Sequence, residues 1–227
     1  MTIIILIVAV LVIVFGPGIW VQRVLDRYSV PADRYPGTGA GLARHLLDQH
    51  NLQAIKVEAT EDGDHYDPEA KAVRLTEDKF SGRSLTAITV AAHEVGHALQ
   101  DSDGYAPLRI RTRLVKATRG IEKLGAGVLM VSPFLGIITR APALGLLTFA
   151  AGMLTLGTAA VVHFFTLPTE FNASFARALP LLEEHKILKQ GDHRHASRLL
   201  TAAALTYVSA SLMSLLNIAR WLAILRR

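Results

Sequence analysis

The amino-acid sequence predicts a mainly helical membrane protein with a small β element, and three observations lead there. Long apolar blocks lie at residues 3–15, 124–167 and 199–225, the polar residues gather between 23 and 123, and that polar stretch mixes helix and strand patterns. Of the 227 residues, 51% are apolar and 19% charged, with a mean hydropathy of +0.33, which excludes a disordered or fully solvated chain. Residues 21–124 hold 15 Lys/Arg and 15 Asp/Glu, so the other 9 basic and 4 acidic residues account for the whole net charge of +5. A pI near 9.7 would fit a nucleic-acid partner. The basic residues form no run interleaved with aromatics, however, and the excess flanks apolar stretches. The expected partner is therefore a lipid bilayer, with no nucleic acid. With no cysteine, any metal has to be held by His and carboxylate.

Residues 1–20 read as an uncleaved transmembrane anchor. The thirteen residues 3–15 lack a polar side chain, and the Gly16-Pro17-Gly18-Ile19-Trp20 exit brings the span to about 20 residues. A signal peptide would need a charged start and a small-x-small cleavage site, and neither is present. Arg23 and Arg27, just past the span, predict a cytosolic location for the polar region that begins with them.

Residues 21–123 read as a small α/β unit. Leu42, Leu46 and Leu47 mark a helix over 39–50, residues 52–58 a short strand, and Ala72-Val73-Arg74-Leu75 a second strand. Asp62-Gly63-Asp64 and His65-Tyr66-Asp67-Pro68 between them carry turn signals. After Ser81 or Ser84 as N-cap, Leu85, Ile88, Ala92, Val95 and Leu99 define one face of a helix running to about Gln100.

Residues 124–167 hold one charge, Arg140, beside Pro142, which suits a transmembrane helical hairpin turning at Thr139-Arg140-Ala141-Pro142. Glycines along both arms would let them pack closely. Residues 168–198 read as a further helical segment. Residues 199–227 read as an apolar helix, spanning or interfacial, that ends in Arg226-Arg227.

The predicted helix after Ser84 contains His93-Glu94-Val95-Gly96-His97. Histidines four apart share a helix face and can point at one ion, while Glu94, about 100° away, can reach a water on it. Zinc held by two imidazoles and a carboxylate lowers the pKa of its water, and a neighbouring carboxylate can take the proton. Gly96 is poor in a helix by about 1 kcal/mol relative to Ala and implies close packing at the site. For the third ligand the sequence offers Glu170, directly after the second apolar block on an expected new helix. Two crossings between His97 and Glu170 would return the chain to the same side. Glu183 and Glu184 compete with it, and His185, His193 and His195 form a loose cluster around Gly191 that reads as solvated loop. His163, with apolar neighbours, reads as structural.

Five pieces, Asp64-His65-Tyr66-Asp67-Pro68, Leu75-Thr76-Glu77-Asp78, the run from Ala91 through the motif to Gln100, Leu167-Pro168-Thr169-Glu170-Phe171, and Ala202-Ala203-Ala204-Leu205-Thr206-Tyr207-Val208, together resemble the YugP-type neutral zinc metallopeptidases of bacterial membranes. The resemblance spans nearly the whole chain and extends distantly to the HtpX and CaaX prenyl protease group. It implies a zincin-like unit of gluzincin type, in which His93, His97 and Glu170 bind Zn2+ and Glu94 is the general base. Asn172 and Ser174 stand where that family and the HtpX-like group carry Asp, which keeps a hydrogen-bonding group beside the ligands and removes a charge. His65 and Tyr66 would belong to a substrate-binding edge, and Tyr207 would donate to the oxyanion.

The expected function is a membrane-embedded zinc endopeptidase acting on peptide bonds of membrane or membrane-near proteins. The alternative is a non-catalytic membrane adaptor that keeps a structural metal, with a fourth protein ligand such as His185. An intramembrane protease is excluded, because Lys79, Arg83, Asp101 and Asp103 bracket a window too short to span. The sequence does not specify an oligomeric state.

Overall fold

The structure, a computed structural model, describes the backbone of residues 2–215 and their side chains, apart from scattered helical positions within 2–10, 119–165 and 207–215. The order along the chain is α1 (Thr2–Tyr28), α2 (Gly39–Gln49), β1 (Lys56–Thr60), β2 (His65–Asp67), β3 (Ala72–Thr76), α3 (Glu77–Phe80), α4 (Leu85–Ser102), α5 (Ala106–Ile138) and α6 (Pro142–Phe171). A π-helical turn (Asn172–Ala178), α7 (Leu179–Glu184) and α8 (His193–Leu215) complete it.

The expectation of transmembrane helices is overturned: among the described residues, no helix is long and apolar enough to cross a membrane. The apolar blocks do not coincide with the helices. Beyond its apolar part α1 continues through Gln22, Arg23, Asp26 and Arg27, and it buries Val21 and Val24 in a protein core. Eighteen residues before its expected start, α5 begins in a turn that leads to Arg109, Arg111 and Arg113. At its far end α6 runs on to bury Thr166, Thr169 and Glu170, so Glu170 closes this helix instead of opening a new one. The expected interfacial or spanning helix at 199–227 begins earlier, at His193, and residues 216–227 lie outside the described residues.

Two compact units emerge. Residues 17–109 and 167–206 form one of them. Its centre is α4, on which α2, α3, β2, β3, the π-turn and α7 all pack. Every residue from Leu85 to Gln100 is buried, the mark of a helix enclosed on all sides. The Ser84 hydroxyl caps it by accepting from the Ala87 N–H at 3.1 Å. On α2, capped by Thr38, Leu42, Ala43, Leu46 and Leu47 turn inward, and Arg44 donates to the Ile55 carbonyl at 2.6 Å, anchoring the approach to β1.

The sheet has the order β1-β3-β2, with β1 parallel to β3 and β2 antiparallel to it. Residues 65–67, expected as a turn, form the edge strand β2, because the real turn is tightened just before it: Asp64 accepts from the Thr76 N–H at 2.7 Å. Arg74 on the central strand bonds Glu58 on β1 and Asp67 on β2, joining all three. Across the unit, buried Asp192 accepts from Arg34 at 2.6 and 2.7 Å and from the Tyr35 hydroxyl.

Residues 110–166, with the adjoining ends of α1 and α8, make the other unit. Its helices α5 and α6 form a hairpin around Thr139-Arg140-Ala141. Near the turn the backbones touch: a Cβ on Gly145 would lie 3.1 Å from the Gly136 Cα and 3.2 Å from the Ser132 carbonyl. Phe134, Ile137, Ile138, Leu146, Leu147 and Leu154 of this unit are exposed.

Candidate metal centre

His93 and His97 stand one turn apart on α4, and their rings meet edge to face at 4.8 Å between centroids. Glu170 arrives from the end of α6. Its Oε2 lies 3.3 Å from the His93 Nε2 and 3.0 Å from the His97 Nε2. One ligand atom from each of the three residues can be chosen so that all lie within 4.8 Å of one another, and each residue is no more than 2% exposed. Glu94, next along the helix, is also buried.

The π-turn that follows Glu170 explains how the next residues reach the histidines. A π-helix closes each turn over five residues and is wider than an α-helix. Its Ala173 carbonyl presses onto Gly96, where a Cβ would meet that oxygen at 2.6 Å. Glycine at this position is therefore a packing requirement, which agrees with the expectation of close approach at the site. The same turn presents Ser174 to one imidazole and Asn172 towards the other.

Hydrogen bonds fix both imidazole tautomers. The Ser174 hydroxyl donates to the Leu200 carbonyl at 3.0 Å, so it accepts from the His93 Nδ1–H, also at 3.0 Å. On the other ring, the Gln100 amide nitrogen donates to the Thr169 carbonyl at 2.9 Å and to the Asn172 Oδ1 at 2.8 Å, which leaves Gln100 Oε1 to accept from the His97 Nδ1–H at 2.9 Å. Both Nε2 atoms therefore present lone pairs to a carboxylate oxygen in a buried pocket. Three acceptors this close repel one another unless a cation lies among them. The donor set of two neutral imidazoles and a carboxylate, each imidazole held from behind, fits zinc. A set of three also leaves a tetrahedral ion one position for water or substrate.

The structure brings His93, His97, Glu94, Glu170, Asn172 and Ser174 together and leaves the other candidates elsewhere. Glu183 pairs with His193, and Glu184 is exposed. His195 Nδ1 meets the Tyr28 hydroxyl at 3.0 Å, and His185 lies edge-on to His45 at 5.8 Å, away from the place a fourth ligand would take. On β2, His65 Nδ1 contacts the Gly63 carbonyl at 2.8 Å, and the buried Tyr66 donates to Asp101 at 2.7 Å. Burial first, and then this bond to Asp101, pushes the Tyr66 phenol above the usual tyrosine range. Tyr207 falls on α8, and its side chain and that of His163 lie outside the described ones. Sequence reasoning missed Gln100 as a ligand support. Its signal was its place three residues after His97 and seven after His93, on the ligand face of the helix. The π-turn left no such signal.

The sequence matches, over residues 2–226, the family described as "Putative neutral zinc metallopeptidase". It is 34% identical over 226 residues, covering 99% of this chain and 96% of the relative, to the protein named "Putative membrane protease YugP" of Bacillus subtilis (strain 168). No solved structure matches. With a buried His93, His97 and Glu170 group able to hold the ion, the chain belongs to the neutral zinc metallopeptidase family and is a zinc-dependent hydrolase of peptide bonds.

Proposed function

We propose that this protein is an endopeptidase in which His93, His97 and Glu170 hold zinc and Glu94 is the general base. The observation that carries the reading is the convergence of two Nε2 lone pairs on the Glu170 carboxylate in a buried pocket. Zinc, when bound, polarises a carbonyl and makes water a stronger acid. Glu94 removes a proton from the water that attacks the peptide carbon, and it delivers that proton to the amide nitrogen as the C–N bond breaks, leaving a carboxylate and an amine. Ser174 and Gln100 hold the two imidazoles in the required tautomer. The outer edge of β2 offers main-chain pairing to an extended peptide. Tyr207 is proposed as an oxyanion donor on sequence grounds alone.

The substrates proposed are membrane or membrane-near proteins, cleaved at a membrane surface on the cytosolic side. Three things support this setting: the exposed apolar side chains of the α5–α6 hairpin, the word membrane in the relative's name, and the arginines at 23 and 27, which suit the anionic cytoplasmic leaflet. A reporter fused after residue 60 tests the compartment.

The chemistry is tested by Glu94→Gln in the full chain. Zinc content stays at one ion per chain, and hydrolysis of an unfolded protein substrate falls about a thousandfold. Full zinc occupancy with undiminished hydrolysis would overturn the assignment of Glu94.

A further inference from the structure

Behind His97 the hydrogen bonds continue outward to a residue that is neither a proposed ligand nor the proposed base. Arg177 Nε donates to the Asn172 Oδ1 at 3.3 Å, the same oxygen that accepts from Gln100. A guanidinium can only donate. The atom of Asn172 facing it is therefore the oxygen, and the Gln100 atom facing that oxygen is the nitrogen. Gln100 Oε1 is then left for the His97 Nδ1–H. Two groups of fixed character therefore orient the amides: Arg177, which can only donate, sets Asn172, and the Thr169 carbonyl, which can only accept, sets Gln100 together with the Asn172 oxygen. Arg177 is itself held by the Asp103 carboxylate and lies over the Tyr105 ring at 5.9 Å.

The π-turn makes this contact possible. Residues five apart on an α-helix point about 140° away from each other at 3.6 residues per turn. A helix that closes each turn over five residues brings them to one side, and residues 172 and 177 are five apart within it. His93 has a different arrangement: its partner Ser174 is fixed by the Leu200 backbone carbonyl alone, whereas Gln100 has two amide protons to place, one on the Thr169 carbonyl and one on the Asn172 oxygen that Arg177 holds in position.

The geometry points to Arg177 as a positioning residue for zinc: by keeping the Asn172 oxygen turned to Gln100 it works with the Thr169 carbonyl to hold His97 as the Nδ1–H tautomer, with the Nε2 lone pair free for the metal. This inference rests on the proposed ligand set, and it assigns a site-specific role to a side chain outside that set.

Zinc affinity of the full chain by chelator competition, together with the imidazole nitrogen shifts of the zinc-free protein by NMR, tests it. Arg177→Met lowers zinc affinity about tenfold, the size expected when support of a ligand is lost. It also gives His97 mixed-tautomer shifts while His93 keeps its own. Asn172→Ala gives the same loss, and the double variant is no worse than either single, since both cut one relay. Arg177→Lys, which keeps a donor and the charge facing Asp103, recovers most of the affinity and serves as the readout should the Met variant fold poorly. Losses that add in the double variant, equal disturbance of His93 and His97, or unchanged affinity in Arg177→Met would overturn the inference. Failure of the ligand assignment has a separate signature, His97→Ala binding zinc as tightly as the unmodified protein.

Discussion

The helix α4 and the hairpin of α5 and α6 are built from similar residues, small and aliphatic with glycines, and their side chains meet different surroundings. Along α4 every side chain from Leu85 to Gln100 is buried, and Thr86, His93, Glu94, His97 and Gln100 are buried with the rest. On the hairpin many of the described large apolar groups are exposed, Ile137 at 75% and Leu147 at 68%. The contrast teaches that apolar content does not report orientation. In the first region polar groups are enclosed and each demands a partner, and those demands become the metal site. In the second, apolar groups are left facing out and define a contact surface.

Substitutions at three places sharpen that contrast. The largest effect is expected for Gly96→Ala in the enclosed region. The added methyl would sit 2.6 Å from the Ala173 carbonyl oxygen, and backbone cannot step aside as a side chain can. A loss of about 3 kcal/mol in denaturant unfolding is expected, accompanied by weaker zinc binding as the π-turn is pushed off α4. A stable variant with unchanged zinc affinity would show that the close packing is dispensable.

Next comes Asp192→Asn, which removes the charge from a buried carboxylate but spares the shape. Burial opposes ionisation of Asp192, but hydrogen bonds from Arg34 and Tyr35 outweigh it and hold the group below the usual carboxylate range. Burial and the bond to Asp192 push the Tyr35 phenol up to about 12. A loss of about 2 kcal/mol is expected at neutral pH. Because the folded-state pKa lies below the unfolded value of about 3.9, the stabilisation is complete above that value. It fades as pH falls through the folded pKa, so the two proteins converge in acid. A gap that does not narrow as pH is taken down from about 3.9 would rule out linkage through this carboxylate.

The smallest effect on stability belongs to the hairpin. Ile137→Ser, Leu146→Ser and Leu147→Ser should each stay within about 0.5 kcal/mol. Combined, they should lower flotation with anionic lipid vesicles while zinc content stays constant. If the triple variant unfolds instead, these side chains serve a core and not a surface.

The parts of this molecule legible from sequence are those governed by local chemistry. The spacing in His93-Glu94-Val95-Gly96-His97, a serine cap at 81 or 84 and the turn residues around Arg140 are local signals, and in the structure the histidines stand one turn apart, Ser84 is the cap and a turn falls between α5 and α6. Glu170 is one of several carboxylates the sequence offers, and only packing across 73 residues selects it to meet His97. What local pattern does not give is where helices stop. Apolar runs suggest membrane spans, while the helices continue through Arg23 and Asp26 at one point and begin before Arg109 at another. The π-turn is invisible in the sequence for a related reason. It is set by the carbonyl of Ala173 seated on Gly96, a contact between distant segments that no residue in 172–178 announces.

That separation of 73 residues between His97 and Glu170 also has a meaning in time. A chain made at about 5 to 20 residues per second displays both histidines some seconds before the carboxylate that completes their site is even synthesised. Ser174 and Arg177 emerge later still. A histidine pair alone is a weak ligand, so on the proposed ligand set the nascent chain gains its peptidase centre only once the segment that carries Glu170 has been made.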